Sequence, residues 1–243
     1  MKGTEKFQYP RRRPIRFVLR QLIRLGFGIL SDLEIIGKEN LPAHGPLIVV
    51  ANHFNFADPA AVIRATPWPL DFFGGFQMPD APWLVGWLPK VWGIYTVRRG
   101  SPSLSAMRAA KAVLSQDGVL GIFPEGGSWA QVLRPARPGT AYVAVHTGVR
   151  LLPIGLDGMV DLFPRLSQGR RAKVTIRIGQ PFGPFESQAR GLALRQELEV
   201  IGDRIMEHIA ALIPPERRGV YSSDPEIREA AQEAAVYPYH DLD

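Results

Sequence analysis

Pro46-Leu47-Ile48-Val49-Val50-Ala51-Asn52-His53-Phe54-Asn55-Phe56-Ala57-Asp58-Pro59 sets the architecture of this chain and carries its chemistry. Leu47 to Ala51 is apolar without alternation, the pattern of a buried strand. Asn52 and His53 end that strand. Asp58-Pro59 then has the form of a helix start, with an acid at the N-cap and proline in the first turn. The same turn can fold the Asp58 carboxylate back onto the His53 ring. A carboxylate on one ring nitrogen fixes the tautomer, and the other nitrogen is then a base for a hydroxyl proton.

Strands and helices alternate outward from this point. Leu33–Gly37, Ile94–Val97, Val119–Phe123, Leu151–Leu156 and Val174–Ile178 read as strands; Pro59–Ala65, Ser103–Ser115, Gly139–His146 and Leu192–Ile213 read as helices. Leu194, Leu198, Ile201, Ile205, Ile209 and Leu212 mark the buried face of the last helix, and Pro214-Pro215 stops it. The predicted class is α/β: a single mixed, largely parallel sheet flanked by helices, preceded by a basic amphipathic helix. Thr66 to Gly93 differs in character, being dense in tryptophan and phenylalanine with proline and glycine throughout. Such a stretch fills a core, lines a slot for an aliphatic tail or sits at a membrane interface.

Three segments are expected: 1–30 as a membrane-association segment, 31–215 as the catalytic domain, and 216–243 as a tail with one helix at Pro225–Ala235. The 243 residues carry a net charge of +6 and no cysteine, which excludes disulfides, thiolate metal sites and a cysteine nucleophile. Arg13, Arg16, Arg20 and Arg24 fall within about 80° of one another on a helical wheel, with Ile15, Val18, Leu19, Leu22, Ile23, Leu25, Ile29 and Leu30 read as the opposite side. Charges at this spacing prevent the segment from spanning a bilayer and interrupt what would be the apolar stretch of a signal peptide. The expectation is a helix in the headgroup layer with its arginines on anionic lipid, peripheral or monotopic on the cytoplasmic face of a membrane. The alternative is that its apolar face packs on the chain's own domain. Nucleic acid is not expected as a partner, since no nucleic-acid motif accompanies the basic cluster.

Three further segments join His53. Gly93-Ile94-Tyr95-Thr96-Val97-Arg98-Arg99-Gly100 ends a strand in paired arginines, Phe123-Pro124-Glu125-Gly126-Gly127-Ser128-Trp129 puts a carboxylate and glycines after another, and Arg150-Leu151-Leu152-Pro153-Ile154-Gly155 opens a third. In this order the four blocks resemble the glycerolipid acyltransferases, which include the lysophosphatidate acyltransferases. The resemblance covers roughly residues 45 to 160. It implies acyl transfer from acyl-CoA or an acyl carrier protein to a lysophospholipid hydroxyl, most directly that of 1-acylglycerol 3-phosphate, with no metal and no cofactor. His53 would be the base and Asp58 its orienting partner. Arg98 would hold the acceptor's phosphate, with Arg99 as a second candidate, and Glu125, Gly126 and Gly127 would position the glycerol end. Asn52 and Asn55 could donate to a developing oxyanion, although asparagine in a turn also serves backbone geometry. The third block departs from the resemblance, since Gly127-Ser128-Trp129 stands where Thr-Arg-Ser is common. Arg134 or Arg137 is the candidate substitute for the missing arginine.

Two other classes fit parts of the sequence. Gly126-Gly127-Ser128-Trp129-Ala130 approximates the nucleophile turn of serine hydrolases, with Asp157 or Asp161 and then His208 downstream. A non-catalytic basic membrane module is the other.

Overall fold

The computed structural model describes residues 9–75, 86–97, 104–128 and 130–236. Arg98 and Arg99, with Phe76 and Trp83 of the aromatic stretch, lie outside the described residues. The strands are β1 (Ser31–Ile36), β2 (Leu47–Ala51), β3 (Leu70–Gly75), β4 (Tyr95–Val97), β5 (Val119–Ile122), β6 (Leu151–Asp157) and β7 (Ala172–Ile178). They form one sheet in the order β1-β7-β6-β2-β5-β3-β4. Every neighbouring pair is parallel except β6 and β7. This is the mixed, largely parallel α/β sheet that the strand–helix alternation predicts.

The helices are α1 (Arg13–Leu30), α2 (Asp58–Ala65), α3 (Leu88–Trp92), α4 (Leu104–Leu114), α5 (Pro138–Thr147), α6 (Leu162–Ser167), α7 (Gly191–Ala210) and α8 (Pro225–Ala235). Side chains alternate across a strand, so β2 feeds two cores. Leu47, Val49 and Ala51 pack with residues of α1, α2 and α6 on one face. Ile48 and Val50 pack with α4, α5 and α7 on the other. Both faces being covered explains why β2 reads as an unbroken apolar run.

The strand β3 falls inside the aromatic stretch, where no strand is predicted. Its sequence Leu-Asp-Phe-Phe-Gly-Gly holds an aspartate and two glycines, all unfavourable in strands. Asp71 is nonetheless fully buried, and its neutralisation comes from α1 and the residues just before it. Arg11 reaches Asp71 Oδ1 at 3.0 Å, and Arg16 pairs with the same oxygen. The Arg11 guanidinium lies 3.7 Å from the centre of the Tyr95 ring.

The orientation of α1 withdraws two of its four stripe arginines from any contact with lipid. Arg16 and Arg20 face the domain and are buried. Arg16 Nε donates to Trp92 O at 3.0 Å. Arg20 Nη1 donates to Thr66 O at 2.7 Å and Nη2 to Trp68 O. These carbonyls lie at or just beyond the C-terminal ends of α2 and α3, where unpaired acceptors and the negative end of the helix dipole favour cations. Leu19 and Phe27 pack into the core beside the arginines, while much of the apolar face turns outward. Phe17, Leu25 and Ile29 are 65%, 60% and 61% exposed. The apolar face therefore does not pack on the domain as a whole either.

A buried ion pair is costly to break from one side because the surviving charge stays uncompensated. Asp71→Ala is expected to lower the free energy of unfolding by about 3 kcal/mol or more. Arg16→Met combined with Asp71→Leu should cost less than Asp71→Ala alone. Urea denaturation of the two variants beside the unaltered protein checks the order.

Candidate active site

Parallel strands deliver their following loops to the same edge of the sheet. β2 and β5 are hydrogen-bonded neighbours, so the His53 loop and the Glu125 loop emerge side by side at their C-terminal ends. This edge is where open α/β sheets bind ligands.

One carboxylate oxygen organises the first loop. Asp58 Oδ2 accepts from His53 Nδ1 at 3.0 Å and from the backbone N–H groups of Phe54 and Asn55, each at 2.7 Å. The sequence suggests Asp58 as a cap for α2, but the carboxylate bends back over the loop and makes no capping bond. Asn55 Oδ1 closes the turn by accepting from Ala57 N at 2.9 Å. Asp58 is fully buried, and the His53 side chain keeps 17% of its surface exposed. A carboxylate only accepts, so Nδ1 of a neutral His53 carries the proton and Nε2 has the lone pair.

Aromatic rings fix the plane of the imidazole. His53 stacks on Phe123 with ring centres 4.3 Å apart, and Phe123 in turn lies 6.1 Å from Phe72 at an interplanar angle of 8°. Gly121 makes room for this stack, because a Cβ there would come within 2.3 Å of the Phe72 ring. Phe72 and Phe123 are site residues that sequence reasoning missed. Phe123 directly precedes Pro124-Glu125, and that position was its available signal.

Glu125 Oε1 accepts from the backbone N–H of His53 at 2.8 Å. It is 1% exposed. Burial pushes its carboxyl up to about 8, while the Arg134 guanidinium and the His53 N–H pull the other way. Burial likewise lowers Arg134, against the opposing pull of Glu125. Arg134 Nε stands 3.4 Å from Glu125 Oε2, and its Nη2 donates to Gly127 O. The Glu125 carboxylate thus braces the His53 loop from within the protein, where the resemblance implies contact with the glycerol end.

The other candidates separate. Asn52 is buried and not available to an oxyanion: its Nδ2 donates to Leu156 O at 2.9 Å and its Oδ1 accepts from Leu156 N at 2.7 Å, extending the β2–β6 pairing with a side chain. Arg134 is 2% exposed and committed to the loop, so it does not replace a substrate-facing arginine. Arg137 is half-buried and lies against Gly126. Arg98 and Arg99 are outside the described residues. Among the described residues, no group of three or more His, Cys, Asp or Glu side chains could hold a metal ion.

The serine-hydrolase arrangement does not form. His208 stacks on Phe182, with ring centres 3.8 Å apart. Phe182 bridges to Leu151, which is level with Ile48 near the start of β2. Ser128 follows the opposite end of β5, so the sheet separates it from His208.

Comparison with known proteins agrees with the fold and the placement of these loops. The acyltransferase family model matches residues 32–157. The 1-acyl-sn-glycerol-3-phosphate acyltransferase of Bacillus subtilis (strain 168) is 23% identical over 194 residues, covering 76% of this chain and 92% of that protein. The enzyme of the same name from Borreliella burgdorferi is 30% identical over 139 residues, 55% of each chain. The crystal structure of the 1-acyl-sn-glycerophosphate (LPA) acyltransferase PlsC from Thermotoga maritima superposes with a TM-score of 0.56 at 26% identity, covering 82% of this chain and 83% of that one. With the family model spanning the strand that ends at His53, the loop that carries Asp58 and the turn that carries Glu125, this chain belongs to the acyltransferase family.

Proposed function

We propose that this protein transfers a fatty acyl group from an acyl thioester to the free hydroxyl of 1-acylglycerol 3-phosphate, giving phosphatidate, with His53 as general base. The observation that carries the reading is the 3.0 Å contact between His53 Nδ1 and Asp58 Oδ2 in a chain whose relatives bear that enzyme's name.

In this reaction His53 Nε2 takes the acceptor's hydroxyl proton as its oxygen attacks the thioester carbonyl carbon. The carbon–sulfur bond breaks as the tetrahedral intermediate collapses, and the leaving thiolate recovers the proton from the imidazolium. No acyl-enzyme forms, because the acceptor is itself the nucleophile and the thioester is already activated. Asp58 offsets the positive charge that His53 carries between the two proton transfers, and the Phe123 stack holds the ring in one plane. Arg98, directly after β4, serves the acceptor's phosphate in this reading. The donor is acyl-CoA or an acyl carrier protein.

The same proposal places the protein on the cytoplasmic face of a membrane. Its support is the outward apolar ridge of α1, a contiguous surface of the kind that marks interaction sites, together with the net charge of +6 and the exposed Arg13 and Arg24. No helix among the described residues is long and apolar enough to cross a bilayer. An interfacial helix meets lipid with its apolar side and leaves its cations at headgroup level.

Thiol release from acyl-CoA in the presence of 1-acylglycerol 3-phosphate tests the chemistry. His53→Ala should lower the rate by roughly 10²–10⁴-fold, the usual weight of general base catalysis, while Ser128→Ala keeps most of it. Equal loss in both variants would sink the assignment of the base. For the membrane surface, Leu22→Glu with Leu25→Glu should release the protein from vesicles containing anionic lipid without lowering its unfolding midpoint, since both side chains already face water. Retained co-sedimentation would count against the ridge.

Glu125 adds a pH dependence. Its folded-state proton affinity, at about 8 against an ordinary 4.5, means that the folded protein binds this proton more tightly than the unfolded chain does. Stability contributed by Glu125 is therefore full below about 4.5 and falls as pH rises towards about 8. Glu125→Gln should flatten that slope in urea unfolding across the interval, and an unchanged slope would assign it to other groups.

A further inference from the structure

The stretch that leads into α5 is held by residues far along the chain. Leu133 is fully buried and both of its backbone groups are taken: its N–H donates to Arg217 O at 2.9 Å, and its carbonyl accepts from the Val220 N–H at 3.4 Å. On one side of that pairing Arg217 Nη1 donates to Gln131 O at 3.2 Å. On the other, the Ala136 N–H bonds the Tyr221 hydroxyl, which itself donates to Asp203 Oδ1 of α7 at 2.9 Å. Residues 217–221 thus bracket residues 131–136, with Arg134 inside the bracket.

Gly219 permits this approach. It is buried with φ 51°, and a Cβ placed on it would stand 2.1 Å from Leu133 O and 3.0 Å from Leu133 N. The positive φ alone favours glycine, and here the closest atoms are backbone. Any side chain at 219 therefore has to displace Leu133.

Arg134, next to Leu133, has a fixed task. It is 2% exposed, stands 3.4 Å from Glu125 Oε2 and donates to Gly127 O. Glu125 Oε1 in turn accepts the His53 N–H at 2.8 Å. A continuous path of buried contacts runs from Gly219 through Leu133, Arg134 and Glu125 to the backbone of the base. The braces from Asp58 and Phe123 lie within the matched residues 32–157, whereas this one enters from beyond them. A displacement of about 1 Å far from the chemistry can cost a reaction about 10²-fold.

We infer that Gly219 is a positioning residue for acyl transfer: by letting residues 217–221 close on Leu133, it sets Arg134 against Glu125 and so fixes the place of His53. The inference rests on the acyl-transfer reading and adds to it a brace from the segment that follows α7.

The test is steady-state thiol release by the full chain with oleoyl-CoA and 1-oleoylglycerol 3-phosphate, with rates expressed per folded molecule from urea transitions. Gly219→Ala should lower kcat about tenfold or more. Both KM values should hold within about twofold. Gly148→Ala is the control, since Gly148 has φ 61° and a Cβ there meets nothing within 4 Å. It carries the backbone strain without the contact and should keep its kcat. Glu125→Gln retains an acceptor for the His53 N–H but no charge for Arg134. In that background Gly219→Ala should cost less than about twofold more, because independent sites multiply their losses and sites on one path do not.

Multiplying losses, an equal fall in Gly148→Ala, or KM values that move together with kcat each overturn the inference. So does an unchanged kcat in Gly219→Ala with an active wild type, which leaves the acyl-transfer reading standing. Should Gly219→Ala show no folded fraction, Tyr221→Phe decides, since it removes the bond to Ala136 and adds no bulk. Its kcat should fall about threefold with a normal urea transition, the loss of one modest hydrogen bond, and an unchanged kcat overturns the inference. A wild type that releases no thiol overturns both.

Discussion

Asp58 Oδ2 accepts three hydrogen bonds, two from the backbone of the loop that carries His53 and one from the His53 ring. The same atom therefore sets the path of the chain and the tautomer of the base. A carboxylate buried without compensation would be expensive. Here two amides and an imidazole N–H supply it, at the start of a helix whose dipole favours negative charge. The geometry also explains the spacing. Folding a carboxylate from the first turn of α2 onto a ring at the end of β2 needs a short tight loop, and Asn55 closes it by bonding Ala57 N.

Around this centre the structure uses polar groups as braces from inside the protein. Glu125 holds the His53 N–H and is in turn held near Arg134. Asn52 sews β2 to β6 through both ends of its amide. Neither group reaches the surface, so each acts on the chemistry through the backbone. The aromatic stack from Phe72 through Phe123 to His53 is their apolar counterpart, and it depends on the absence of a side chain at Gly121. The loop is thus fixed from the sheet side and from the strand beside it, as a preorganised base requires.

The helix α1 reverses the usual logic of an amphipathic element. A surface helix ordinarily buries its apolar stripe and shows its charges to water. This one buries Arg16 and Arg20 against Asp71 and the carbonyl ends of α2 and α3, and leaves Phe17, Leu22, Leu25 and Ile29 outside. Guanidiniums can be buried in this way because each meets a carboxylate or backbone oxygens. The exposed ridge is then available to a partner that is itself apolar, and the anchoring contacts join that ridge to β3 and to the residues leading into β4.

Much was legible in the sequence because it depends on local pattern. The unbroken apolar run of β2, the period of α7, the proline and glycine boundaries and the order of the four blocks are written in neighbouring residues. They determined the α/β class, and the Leu47–Ala51 and Pro225–Ala235 bounds match the structure. What the pattern could not supply were partners far along the chain. Asp71 inside a strand, Asn52 paired with Leu156, Glu125 turned onto the His53 backbone and the inward arginines of α1 all depend on segments more than forty residues apart in sequence. A helical wheel places Arg16 and Arg20 on one side but carries no information on which side meets the protein. That choice was made by a buried carboxylate and unpaired carbonyls that only the folded chain brings to them.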